Sequence, residues 1–183
     1  MSTALAKAVQ FTIVTEGGFV TDNGGDTMYG VTQRVYDLYM SKKKWLPVKP
    51  VKQITMLEVL EIMGDMYWGP AHCDALPEQL AIAHFDWAYN HGTAGAAKTL
   101  QIALGFSAAM ADGVIGPKTL AAVAAANVPE LVGKYLDVRR TWYKNTALLN
   151  PAEYGKYIKG WLNRVDALEK YLAELPLVLV AAK

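Results

Sequence analysis

The stretch that decides the reading of this chain is Glu16-Gly17-Gly18-Phe19-Val20-Thr21-Asp22-Asn23-Gly24-Gly25-Asp26-Thr27-Met28-Tyr29-Gly30-Val31-Thr32. It follows a run in which Leu5, Val9 and Ile13 recur with Ala6 and Ala8 beside them. That periodicity predicts a helix ending at Gly17-Gly18, where glycine can take the left-handed C-cap conformation. Glu16 then sits in the last turn, facing the negative end of the helix dipole, which tends to raise the carboxyl pKa. A carboxyl that stays protonated near neutrality can act as a general acid, and burial against Phe19 or Tyr29 would push the same way.

After Gly18, Phe19-Val20-Thr21 is β-capable, 22–26 is a polar turn, and a second run continues through Tyr29 to Val31, so the segment reads as a hairpin or a wide loop. Such a loop can fold Asp26 back towards Glu16 and leave space for a water and a sugar ring, with Thr32 adding a hydroxyl to place that water. Two carboxylates and a water-orienting hydroxyl are the equipment of an inverting glycoside hydrolase. A wide turn around Gly24-Gly25 predicts inversion and a tightly closed hairpin predicts retention; the expectation is the wide turn. The plainer reading of the same residues is a solvated helix end at Glu16, a turn former at Asp26 and a helix N-cap at Thr32.

Glu16-Gly17-Gly18-Phe19-Val20, followed by Asp22, Gly24-Gly25, Thr27 and Tyr29-Gly30-Val31-Thr32, resembles the opening motif of the glycoside hydrolase family 108 muramidases. The resemblance implies that Glu16 is the catalytic acid. Phe19 stands where the family usually has Tyr, which removes a hydroxyl and keeps the apolar body. The order Glu, Asp, Thr is also similar to that of phage lysozymes, with a first gap one residue longer here. It implies Asp26 as the partner carboxylate, Asp22 as the reserve, and Thr32 as the residue that places the water.

Composition bounds the rest. The 183 residues are just over half hydrophobic and carry a net charge of +1, as expected of a globular chain. The basic cluster Lys42-Lys43-Lys44, with Lys49 and Lys52, reads as a solvated loop, so no nucleic-acid partner is expected. Cys73 is the one cysteine, which rules out an intrachain disulfide. The N-terminus lacks an uninterrupted apolar core and cleavage site, and no stretch reaches the roughly 20 apolar residues of a membrane span. The expectation is synthesis in the cytoplasm without a signal peptide and action on the cell wall after release, for instance through a holin.

Further along, a helix over Gln33 to Tyr39 is expected to bury Val35 and Tyr39. Thr55-Met56-Leu57-Glu58 is a capping box starting a helix to about Met66, with Leu57, Leu60 and Gly64 on its buried side. Tyr67-Trp68-Gly69-Pro70 is similar to the Y-W-x-P of the same family, and Trp68 is either a core anchor or a sugar-stacking platform. Pro77 and Gly92 bracket a helix with Leu80, His84, Trp87 and His91 at helical spacing. Within it, residues 85–92 (F-D-W-A-Y-N-H-G) also resemble the family. Asp86 and Asn90 share a face and can brace the core or line the cleft. His72, Cys73, Asp74, His84 and His91 have no metal-ligand spacing, so neither a metal nor a cofactor is expected.

In the second half, Thr93 is expected to cap a helix ending at Gly105. Asp112-Gly113-Val114-Ile115-Gly116-Pro117-Lys118-Thr119 is a tight turn and a helix start that resembles the signature of the peptidoglycan-binding part accompanying family 108 segments. Pro129 opens a helix with the stripe Leu131, Tyr135, Val138 and Trp142. Pro151 opens another, with Tyr154, Ile158, Trp161, Val165, Leu168 and Leu172, packed antiparallel to it. Residues 161–165 again resemble the family's W-L-N-R-V.

The expected architecture is mainly α, a lysozyme-like helical fold with a small β-hairpin or loop near the N-terminus. Residues 1–92 form the catalytic segment, 93–175 a helical peptidoglycan-binding segment, and 176–183 an apolar tail. The resemblance implies a monomeric muramidase acting on peptidoglycan glycan strands, as a phage or prophage endolysin or a host enzyme. Its candidate glycan contacts are Asp22, Tyr29, Trp68, Asp86 and Asn90. Two alternatives stand beside it: a zinc-dependent wall amidase using His72, Cys73 or His91, and a non-catalytic wall-binding or secretion-assisting protein.

Overall fold

The computed structural model describes residues 3–16, 18–22, 25–44 and 49–175, with the side chains of residues 14–16 and 22 outside that description. Gly17, Asn23-Gly24, Trp45, Pro47 and the 176–183 tail therefore lie outside the described residues. The fold is mainly α with one small antiparallel sheet, and the chain forms two compact units, 1–70 and 71–183.

In the first unit, α1 (Thr3–Glu16) ends at the predicted residue. It buries Leu5, Ala8, Val9 and Phe11 and packs on α3 (Met56–Met63). Between them come β1 (Val20–Asp22), β2 (Gly25–Met28), β3 (Val31–Thr32) and α2 (Gln33–Lys43). The second β-run expected through Tyr29 is instead broken into two strands. Tyr29 and Gly30 both have positive φ, 52° and 77°, and join Met28 to its partner Val31. Two left-handed residues make the turn whose twist matches an antiparallel pair, so two strands form where one was expected.

Thr32 caps α2, its Oγ1 accepting from the Val35 N–H at 3.3 Å. The buried face of α2 is Tyr36, Tyr39 and Met40, so Tyr39 is buried as expected and Val35 is only half-buried. The capping box at Thr55 and Glu58 forms in both directions. Glu58 also accepts from Tyr36 Oη and pairs with Lys49, at 2.8 and 3.0 Å. Burial pulls this carboxyl up, but the Thr55, Lys49 and Tyr36 donors outweigh it and lower it to about 2.

The buried stripe of α3 is Val59, Ile62 and Met63, while Leu57 is 68 % exposed and corrects the expected face. Leu57 falls in the first turn beside the cap, where the chain is still turning in from solvent. The helix then widens into one π-turn over Gly64–Trp68, closed by Gly69 N–H to the Gly64 carbonyl at 2.8 Å. That extra residue per turn shifts the helix phase and turns Trp68 inward.

The second unit is built on α4 (Glu78–His91), whose residues from Leu80 to Ala88 are all buried. Around it pack α5 (Thr93–Ala103) and α7 (Val128–Leu149). Gly92, at φ 82°, is the corner between α4 and α5, and Thr93 is the first residue of α5, not its side-chain cap. Next, α6 (Pro117–Ala125) starts with Pro at its first position. The final helix expected from Pro151 is broken into α8 (Pro151–Tyr154) and α9 (Ile158–Glu174). Arg140 bonds Asp166 and Tyr143 stacks on Trp161, so α7 and α9 run antiparallel as expected. The α7 stripe is Leu131, Val132, Tyr135, Leu136, Arg139 and Tyr143, with Trp142 exposed. An arginine at the centre of that stripe means that a charge must be met inside.

Candidate active site

Glu16 is the last residue of α1, and its side chain lies outside the described residues, as does that of Asp22. Strand register places their neighbours. Asp22 pairs with Gly25, Thr21 with Asp26, and Val20 with Thr27. Of the turn expected around Gly24-Gly25, residues 23–24 lie outside the described residues.

Side chains alternate across a strand, so Asp26 shares a sheet face with Thr21, and Thr21 Oγ1 donates to Asp26 Oδ1 at 2.8 Å. Thr27 pairs with Thr32, which puts Thr32 on the opposite face from Asp26. The hydroxyl beside Asp26 is therefore Thr21's, and Thr32 serves α2 as its cap. Reading the strands in register from Asn23-Gly24 was the signal that would have found Thr21. Of the two supports for inversion, Thr32 lies on the sheet face opposite Asp26, and the turn at 23–24 lies outside the described residues.

The other candidate glycan contacts divide. Tyr29 is half-buried at the β2–β3 turn. Trp68 is 3 % exposed, which makes it the core anchor and not a surface for a sugar. Asp86 is 1 % exposed in the core of the second unit and braces that core instead of meeting substrate. Its Oδ2 accepts from Arg139 Nη1 at 2.6 Å, and its Oδ1 from Arg164 Nη2 at 2.7 Å. Burial pulls the Asp86 carboxyl up, but the two guanidiniums outweigh it and hold it below the ordinary range. Asn90 Nδ2 donates to the Asp86 carbonyl at 2.6 Å. The Arg139 guanidinium also lies 4.6 Å from the centre of the Trp87 ring, the attraction of a cation for an aromatic face.

Among the described residues, no three His, Cys, Asp or Glu side chains gather as a metal would require. Cys73 is buried and its thiol pushed up by burial. His84 is also buried, with Nδ1 3.1 Å from Tyr135 Oη, and burial lowers its pKa to about 4. A histidine depressed this way stabilises the fold fully above about 6.5, its unfolded value, and the contribution is lost as pH falls through about 4. Stability is expected to drop by about 3 kcal/mol across that window, at ~1.4 kcal/mol per unit. His91, half-buried and depressed in the same direction, adds to it. Melting curves from pH 7 to 4 check this, and His84→Asn, which cannot titrate, should remove most of the slope.

The Asp112–Thr119 segment is consumed by its own fold. Buried Gln101 donates from Nε2 to Asp112 Oδ1 and the Val114 carbonyl, at 2.6 and 3.0 Å. Its Oε1 accepts from the Gly113 N–H at 2.9 Å. The signature residues Asp112 and Gly113 thereby tie the start of α6 to α5.

Among solved structures, the chain is similar to Brucella abortus SagA, with 31 % identity and a TM-score of 0.71, over 92 % of this chain and 93 % of that one. No curated protein matches it. The family model described as "Glycosyl hydrolase 108" matches residues 9–92, and the one described as "Predicted Peptidoglycan domain" matches residues 95–166. The first match spans α1, the sheet and α4, the second the helices from α5 onward, in the order the motifs imply. The chain belongs to the glycosyl hydrolase 108 family and is a peptidoglycan hydrolase.

Proposed function

We propose that this hydrolase is an N-acetylmuramidase, cleaving the β-1,4 bond from N-acetylmuramic acid to N-acetylglucosamine with Glu16 as acid and Asp26 as partner carboxylate. The observation that carries the reading is local: Glu16 ends α1, and the chain passes directly from it into the sheet that holds Asp26. In the reaction, Glu16 gives its proton to the glycosidic oxygen as the bond from C1 to that oxygen breaks. Asp26 meets the positive charge growing on the sugar ring, a water oxygen bonds to C1, and the water's proton returns to carboxylate. Thr21 orients Asp26 through its hydroxyl. The enzyme works as a monomer on the wall after release from the cytoplasm, in the manner of a phage endolysin. A host wall-remodelling role is the second reading, favoured by the likeness to a Brucella abortus protein over nearly its whole length.

Digesting purified peptidoglycan and identifying the new chain ends tests the specificity. Reducing N-acetylmuramic acid ends are expected; reducing N-acetylglucosamine ends or freed stem peptides would overturn it. Activity should survive EDTA, because acid-base attack on a glycoside needs no Lewis acid. Loss on chelation, with recovery on adding zinc, would favour an amidase.

Tyr29 offers a separate check. A tyrosine at positive φ is strained by about 1 kcal/mol or more, and such strain is retained where a side chain has a task. Tyr29→Asn creates the favoured Asn-Gly turn and should raise stability by about 0.5–1 kcal/mol. If Tyr29 contacts glycan, the same variant loses activity severalfold; unchanged kinetics would remove it from the site.

A further inference from the structure

Trp142, on α7, is 38 % exposed and yet fixed in place. It meets Trp87, His91 and Tyr143 edge to face, with ring centres 5.4, 4.1 and 5.6 Å away and planes at 72°, 61° and 70°. Among the described residues no ring lies parallel to it, so no stacking partner covers its indole. His91, the last residue of α4, is locked beside it: the imidazole stacks on Trp87 at 4.4 Å, and a Cβ at Gly95 would overlap the ring, so glycine there makes the room. Although half-buried, the His91 ring makes no hydrogen bond among the described residues, and neither nitrogen is closed off from solvent. Burial, and after it the charge of Arg139, lowers the His91 pKa and keeps the ring neutral at pH 7, with one nitrogen to donate and one to accept. Asn90, the preceding residue, is exposed and gives Nδ2 to the Asp86 carbonyl at 2.6 Å, which leaves Oδ1 unpaired among the described residues. A lone exposed tryptophan is ordinary on a protein surface. One held rigid beside unused hydrogen-bonding groups has the composition of a ligand site, an apolar face with a few polar groups that fix orientation.

We infer that Trp142 and the C-terminal end of α4 form a sugar-binding subsite on the second unit, where an N-acetylated sugar of the peptidoglycan strand lays its C–H face on the Trp142 indole and hydrogen-bonds His91 and Asn90. The inference rests on the chain being a peptidoglycan hydrolase, and neither on which bond it cuts nor on Glu16. His91 and Asn90 fall in the segment matching the glycosyl hydrolase model and Trp142 in the one matching the peptidoglycan model, all within one compact unit. A pyranose ring carries the complementary surfaces, an apolar C–H face for the indole and a rim of hydroxyl and amide groups for the polar atoms. A lipid surface has the first and lacks the second in that arrangement. The subsite acts on affinity for the polymer, because a second contact on the same strand adds to the grip of the catalytic segment.

The test uses the full chain. Co-sedimentation with purified sacculi should show affinity about tenfold lower for Trp142→Ala, the loss of one anchoring aromatic. Trp142→Phe, which keeps a ring, should lose less, and His91→Phe, which keeps the stacking on Trp87 but has no ring nitrogen, should lose severalfold. In lysis kinetics the same variants should raise KM for sacculi and leave kcat near its normal value. Melting curves separate these effects from unfolding. NMR titration of the wild type with chitotetraose, which has the N-acetylated sugars and no peptide, reads the contact without activity or a destabilising variant: the indole N–H signal of Trp142, identified by its absence in Trp142→Phe, should shift and saturate. An unmoved Trp142 signal, or unchanged sacculus binding by a folded Trp142→Ala, overturns the inference. A signal that moves with phosphatidylglycerol–phosphatidylethanolamine vesicles and not with chitotetraose overturns it in favour of a membrane contact. Should sacculus digestion yield N-acetylglucosamine ends, the muramidase reading fails while a saturable Trp142 shift still establishes the subsite.

Discussion

Glu16→Gln is expected to lower wall lysis by about 10²–10⁴-fold, the usual contribution of a positioned general acid. The melting temperature should hold or rise slightly. Glutamine keeps the size of glutamate, loses the proton that the leaving oxygen must receive, and removes a negative charge from the C-terminal end of α1, where the dipole disfavours it. Turbidity loss of a wall suspension and a melting curve on the same preparation measure both quantities. Near-normal lysis would take Glu16 out of the acid role and the proposed mechanism with it. Inactivity with a collapsed melting temperature would show a structural glutamate instead.

The second large effect is on stability and lies in the other unit. Asp86→Asn is expected to cost about 3–5 kcal/mol, because breaking a buried ion pair strands its partner charges. Arg139 is fully buried and Arg164 nearly so, and both lose the carboxylate that compensates them. The interaction is charge-assisted and bonded through both carboxylate oxygens, so a neutral amide of the same shape cannot replace it. Urea unfolding would show the loss as a lowered midpoint. With protein kept well below that midpoint, KM should be unchanged, since Asp86 is inside the core. A raised KM with full stability would return Asp86 to the glycan-binding surface.

These two residues also mark what could be read directly. Glu16 at a helix end, the Thr55–Glu58 capping box, Pro117 at a first turn and Gly92 at a corner were legible from residue order. Each depends on backbone groups or side chains within about four residues, where geometry follows from helix or turn chemistry alone. The first hairpin sat at the edge of legibility. Only the pairing of Thr21 with Asp26 and of Thr27 with Thr32 put Thr32 on the other face.

Tertiary structure alone decided Asp86, Trp68 and Thr12. Asp86 looked equally suited to a cleft or a core until Arg139 and Arg164, 53 and 78 residues away, met it. Trp68 was turned inward by a π-turn that no apolar period announces. Thr12 reads as an ordinary helical residue until burial leaves its hydroxyl without a partner. Helix and turn signals are local and survive in the residue order. Which face is buried, and which charge meets which, depends on distant segments whose contacts have no imprint in spacing, and so the sequence by itself determined the elements and the place of Glu16 at the end of a helix, while packing determined which side chains are buried and which charges pair.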